Sequence, residues 1–133
     1  MFNIICNDIS SISTAIAICL FNKSNVLMLI SSKRPMIDYY CIATDSIRSI
    51  TSDSAITYQF NKFENGFNIL FSNGSIFKIL YYKDFPRQYI YDMVIIDDLI
   101  LGDIKLHDFS ALCRGIDKSS ATYSKKPKER DET

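Results

Sequence analysis

Residues 55–82 read AITYQFNKFENGFNILFSNGSIFKILYY, the most aromatic stretch of the chain. It holds two Asn-Gly pairs, Asn65-Gly66 and Asn73-Gly74. Type I′ turns need positive φ at both central residues, and Asn-Gly supplies it with least strain. Each pair therefore predicts a two-residue hairpin, and together they predict three antiparallel strands. In that register Phe71 faces Ile76, Ile69 faces Lys78, Phe67 faces Leu80, Phe60 faces Phe71 and Lys62 faces Ile69. One face then collects Ile56, Tyr58, Phe60, Phe67, Ile69, Phe71, Ile76 and Leu80. The other carries Thr57, Gln59, Asn61, Asn68, Ser72 and Ser75, relieved by Leu70, Phe77 and Ile79. Alternation with period two is the mark of a half-buried strand.

Outward from this meander, Phe2 to Cys6 reads as a first strand. Asn7, Asp8 or Ser10 can cap a following helix, in which Ile9, Ile12, Ile16, Cys19 and Leu20 recur at helical spacing. Val26 to Ile30 is an unbroken apolar run, expected to be a central strand covered on both faces. Lys33-Arg34-Pro35 punctuates it. Asp38 to Thr44 reads as a further strand, and Asp45 as the cap of one helical turn carrying Ile47 and Ile50. After a loop over Lys83 to Gln88, Tyr89 to Ile96 is strand-like. Asp97-Asp98 or Gly102-Asp103 turns the chain, and Asp108 caps a short helix through Cys113 that stops at Gly115. The expected fold is α+β: a mostly antiparallel sheet with the meander at about 55–82, an N-terminal helix and a short C-terminal helix. It forms a single domain over 1–116. After Ile116 the chain contains no Ile, Leu, Val, Phe or Met, so 117–133 is expected to be a disordered polar tail.

The bulk numbers bound the function. The chain has 133 residues and 47% apolar content, enough for one cored domain. Its 15 basic and 15 acidic residues balance, which argues against whole-protein attraction to nucleic acid or anionic membrane. No basic signal segment opens the chain, and Asn22 to Asn25 interrupts the longest apolar stretch, so no membrane span is expected. Cys6, Cys19, Cys41 and Cys113 form no CxxC pair and read as reduced thiols of a cytoplasmic protein. Isoleucine occurs 21 times and valine twice, a bias that AT-rich genomes produce, viral ones among them.

No catalytic constellation stands out. GxxxxGK, GxSxG and HExxH are absent, and the four glycines fit turns or caps. No cofactor, metal ligand set or catalytic residue is assigned. His107 is the only histidine, and with Asp97, Asp98, Asp103 and Asp108 it offers the one imaginable metal-dependent hydrolase segment. A structural role for it, in a turn or beside a cap, is the simpler reading. A Cys113–His107 pair has no orienting third group. For single-stranded nucleic acid, Phe63, Phe77 and Tyr81 could form a stacking platform near Lys62, Lys78 and Lys83. Tyr39, Tyr40, Tyr81, Tyr82, Tyr89 and Tyr91 sit where one neighbour of each group must point outward. Tyrosine is enriched at interfaces, since it joins apolar area to a water-tolerant hydroxyl. Lys125, Lys126 and Lys128 match a short basic import pattern, which admits a nuclear location or a contact with nucleic acid. The leading expectation is a non-enzymatic interaction or assembly module acting through a sheet face or edge, as a homo-oligomer or with a protein partner. The alternatives are a single-stranded nucleic-acid binder and a metal-dependent hydrolase.

Overall fold

A computed structural model describes residues 4–51, 55–84 and 91–114. The strands are β1 (Ile4–Asn7), β2 (Asn25–Ile30), β3 (Tyr58–Phe63), β4 (Gly66–Phe71), β5 (Ile76–Tyr81) and β6 (Met93–Asp97). The helices are α1 (Ser11–Phe21), α2 (Met36–Thr51) and α3 (residues 106–114). Short 3₁₀ segments follow β5 (Tyr82–Asp84) and β6 (Asp98–Asp103).

The six strands form one sheet in the order β1-β6-β2-β5-β4-β3. The fold is α+β, and the sheet is mixed rather than mostly antiparallel. Three neighbouring pairs are parallel: β1 with β6, β6 with β2, and β2 with β5. Two are antiparallel: β5 with β4, and β4 with β3. Parallel strands are normally buried on both faces, and β2 behaves so. Val26, Met28 and Ile30 pack against α1 and α2, while Leu27 and Leu29 pack on the opposite side. That second side is completed by Leu80, Tyr91, Val94, Ile96, Ile100, Ala111 and Leu112. The continuous apolar run in the sequence has this cause.

α1 starts where expected, and Asp8 starts it. The Asp8 carboxylate accepts the Ser10 N–H at 3.0 Å, and its carbonyl accepts the Ser11 N–H at 3.1 Å. Ile12, Ala15, Ile16 and Cys19 face the core, and each fully buried isoleucine contributes about 1.5–3 kcal/mol. α2 corrects the reading of Asp38–Thr44 as a strand followed by one helical turn: the span is one helix of 16 residues. Its buried positions Tyr39, Ala43 and Ile47 recur every four residues, which is helical spacing. Pro35 lies just before the helix, where its missing N–H costs nothing, and its carbonyl accepts the Asp38 N–H at 3.0 Å. Asp108 is likewise not a cap. It lies within α3, and its N–H donates to the Lys105 carbonyl at 3.1 Å.

The two hairpins differ from two-residue Asn-Gly turns. In the second, Phe71 pairs with Ser75 through the Phe71 N–H, and the Gly74 N–H closes on the Phe71 carbonyl, both at 3.0 Å. The loop is therefore three residues, Ser72 to Gly74, ending on a glycine at φ 93°. This is a bulged hairpin. The extra residue shifts β5 by one, so Ile69 meets Phe77 and Phe67 meets Ile79. A shift of one exchanges the faces. Phe77 and Ile79 join the helical side with Phe67, Ile69 and Phe71, and Leu80 joins the other. In the first hairpin Phe63 pairs with Gly66, Phe60 with Ile69 and Lys62 with Phe67. The turn thus falls on Glu64-Asn65, and Gly66 is the first residue of β4. That slip of two leaves the faces of β3 unchanged.

Candidate functional site

In open sheets of parallel strands, crevices form at the carboxyl ends where adjacent strands send their chains to opposite faces. Here β1 and β2 lead into α1 and α2 on one face, while β6 and β5 lead into 3₁₀ segments whose Ile100 and Tyr82 belong to the other face. The carboxyl edge is therefore the first place to look for chemistry.

At the β1/β6 end, Asn7 lies beside Asp97 in register. Asp97 is fully buried. One carboxylate oxygen accepts the Leu99 N–H at 3.0 Å and the other accepts the Tyr39 hydroxyl at 2.5 Å. Burial raises the Tyr39 hydroxyl above its usual range, and the bond to Asp97 adds to this. Loss of water also raises Asp98, reinforced by Asp97 and Asp8 and opposed by Arg34. Asp8 is held below the usual carboxylate range by the Ser10 hydroxyl and N–H. A free helix N-terminus beside such a strand would suit a phosphate. This one is already turned onto its own carboxylate, and the segment from Asn7 to Ser13 contains neither glycine nor lysine.

The acidic segment does not converge. Asp97 is held by Tyr39, and Asp103 lines a different pocket between β2 and β5. Asp108 accepts the Tyr82 hydroxyl, and His107 stands 71% exposed with its Nε2 3.5 Å from Asp108. Among the described residues no three His, Cys, Asp or Glu side chains are placed to hold a metal ion.

The tyrosines divide. Tyr39 (0% exposed) and Tyr91 (2%) are core residues rather than surface ones. Tyr82 is a structural brace, since its oxygen also accepts the Lys105 N–H at 3.0 Å. Tyr81 is half-buried against the helical side of the core. Tyr89 and the lysines 125, 126 and 128 lie outside the described residues, as does the tail 117–133. The three rings of the stacking platform are not brought together: Phe77 is fully buried and Phe63 lies at the end of the edge strand.

Tyr40 borders an apolar opening beside β3. Its ring packs edge-on against Phe60 and Phe67, each at 5.2 Å between centroids, and the Lys62 ammonium lies over it at 4.2 Å. Beside these rings a pocket of about 140 Å³ opens among Met36, Ile37, Tyr40, Lys62, Phe63, Gly66 and Phe67. Its rim includes Ile37 and Phe63, 58% and 41% exposed. β3 borders it and, among the described residues, has a neighbour on one side only. Tyr40 is legible in the sequence as a candidate, whereas Met36 and Ile37 are not, because Asp38–Thr44 has the local pattern of a strand and hides the helix that aligns them.

No family model, curated protein or solved structure matches the chain. Among the described residues no helix is long and apolar enough to cross a membrane.

Proposed function

We propose that the chain is a non-enzymatic protein-interaction module that adds an extended segment of a partner to β3 and seats one apolar side chain in the adjoining pocket. The observation that carries this reading is the coincidence of an open sheet edge with an apolar pocket. Edge strands expose a row of backbone donors and acceptors, and proteins usually guard them with outward lysines, prolines or bulges. β3 spans six residues without proline, and its single charge, Lys62, lies over the Tyr40 ring. Peptide recognition by strand addition takes affinity from the main chain and specificity from such side pockets. Catalysis has less support. Asp97 and Asp8, at the carboxyl edge, are engaged by Tyr39, Leu99 and Ser10. A reducing, intracellular setting suits the free thiols of Cys19 and Cys41.

A display library of random extended peptides tests the reading. Selected peptides should share one apolar residue within a β-prone stretch and should shift the amide resonances of residues 58–63. Ile37→Asp and Phe63→Asp should each weaken them at least ten-fold, whereas Leu106→Asp, on the exposed surface of α3, should not. Peptides that bind all three variants equally would remove the proposal. Concentration-dependent dimers lost in Phe63→Asp would identify a second copy of the chain as the strand donor.

A further inference from the structure

A second crevice lies at the carboxyl edge, and it has the opposite chemistry to the Asp97 end. Ile30 and Tyr81 close β2 and β5 side by side. From there the chain runs to α2 on one face and to the 3₁₀ turn Tyr82–Asp84 on the other, so the strands part around a gap. The gap is a pocket of about 100 Å³, walled by Ser31, Ser32, Lys33, Tyr82, Lys83 and Asp103 among others.

Its walls are fixed. Ser31 is almost fully buried, and its hydroxyl oxygen accepts the Lys33 N–H at 3.0 Å, which folds the loop back over the strand end. The hydroxyl proton of Ser31 meets no acceptor among the described residues. Tyr82 is braced by Asp108 and Lys105. Among the described residues neither Lys33 nor Lys83 is paired with a carboxylate. The pocket is therefore lined by two lysines with no carboxylate partner among the described residues, a buried serine hydroxyl and a second serine, around a space the size of one small group. Lysines act on phosphate as mobile point charges, and hydroxyl and amide donors set its orientation.

We propose that this crevice binds a phosphate monoester of a small polyhydroxylated molecule. The two lysines balance the dianion, and Ser31 and Ser32 donate to its oxygens. Asp103 accepts a hydroxyl of the ester's carbon skeleton. Its negative charge also disfavours a polyphosphate chain, as like charges in one site repel. This site is independent of the β3 edge and does not require the interaction reading.

Titration of the full chain with inorganic phosphate and with glycerol phosphate, at constant ionic strength, tests it by amide resonance shifts. The expected result is a saturable shift confined to residues 30–33 and 82–84, joined by Asp103 for the ester, and tighter for the ester. It should strengthen from about pH 5 to 7.5, as the second phosphate proton leaves near pH 6. Lys33→Ala with Lys83→Ala should weaken it at least ten-fold, and Lys23→Ala, at the amino edge of the sheet, should leave it unchanged. Both lysines are exposed, so the double variant should keep the native resonance pattern elsewhere. Equal affinity for the two ligands would still support a phosphate site, with the free ion as its occupant. Shifts that do not saturate, that chloride reproduces, or that survive in the double lysine variant would overturn the proposal.

Discussion

Asn65-Gly66 and Asn73-Gly74 are the same dipeptide in the same sheet, and the molecule uses them in opposite ways. Gly74 is kept for its backbone angle: it sits at φ 93°, where side chains are strained. Its Asn73 reaches out of the hairpin, and its amide donates to the Cys19 carbonyl at 2.8 Å. Ser75 joins it, donating to the same carbonyl at 2.7 Å. The loop thus caps the open carbonyls at the end of α1. Gly66 is kept for space. A methyl group there would stand 2.1 Å from the Ile79 carbonyl oxygen. Asn65 contributes a backbone carbonyl, which accepts the Tyr81 N–H at 3.2 Å. One end is locked to a helix, while the other borders the pocket beside the open edge. A turn motif therefore reports a bend in the chain and leaves open whether angle, space or a distant partner selects it.

The sharpest way to break this comparison is to add one methyl group to each glycine. Gly66→Ala should lower stability by about 3 kcal/mol, because backbone must move and overpacking costs of 1–3 kcal/mol rise when it cannot. Gly74→Ala should cost about 1 kcal/mol, the penalty of a left-handed alanine. It meets only the flexible side chain of Lys23. Urea unfolding of the two variants checks the order. Equal losses would mean that angle alone, or space alone, governs both positions. Gly66→Ala should also weaken any peptide bound at β3, since Gly66 lines that pocket.

The second prediction sharpens the partner's role. Asn73→Ala removes the donor to Cys19 and the side-chain oxygen that accepts the Ser75 N–H at 3.0 Å. A net loss of about 1–2 kcal/mol follows, as each part-buried bond contributes about 0.5–1.5 kcal/mol. Hydrogen exchange should quicken in the last turn of α1 while β3 keeps its protection. Faster exchange confined to the hairpin would refute the clamp.

The same contrast explains how much was legible in the sequence. β2 was readable because five apolar residues in a row admit few alternatives. The strands of 55–82 were readable from alternation, but the β4–β5 register depended on one bulge residue, and that single step moved Phe77 and Leu80 across the sheet. α2 was missed because Tyr39-Tyr40-Cys41-Ile42 resembles a strand over four residues; its helical spacing emerges only across 36–51. Parallel pairing was invisible, since β1 and β6 meet across almost the whole domain and nothing local marks it. The candidate sites suffered in the same way. In the sequence Lys33 punctuates a strand and Lys83 opens a loop beside the stacking rings, and they share a pocket only because Ile30 pairs with Tyr81. Asp97 was read as a turn residue. Its acceptor role needs the Tyr39 hydroxyl, which α2 delivers from 58 positions away.

The smallest effect is the most discriminating. Asn65→Ala should change stability by no more than about 0.5 kcal/mol, the usual range for a substitution away from caps, cores and strained backbone. Asn65 is the residue that a type I′ turn would require in the left-handed region, where asparagine outperforms alanine. The Glu64-Asn65 turn serves the sheet through the Asn65 carbonyl, which accepts the Tyr81 N–H and which alanine retains. If the turn needed the asparagine side chain, the loss would approach that of Asn73→Ala, and the two Asn-Gly pairs would be equivalent after all. Measuring both variants in one urea series decides the matter. A ratio near one restores the shared turn chemistry, and a ratio of about three or more assigns the asparagine of the second pair to α1.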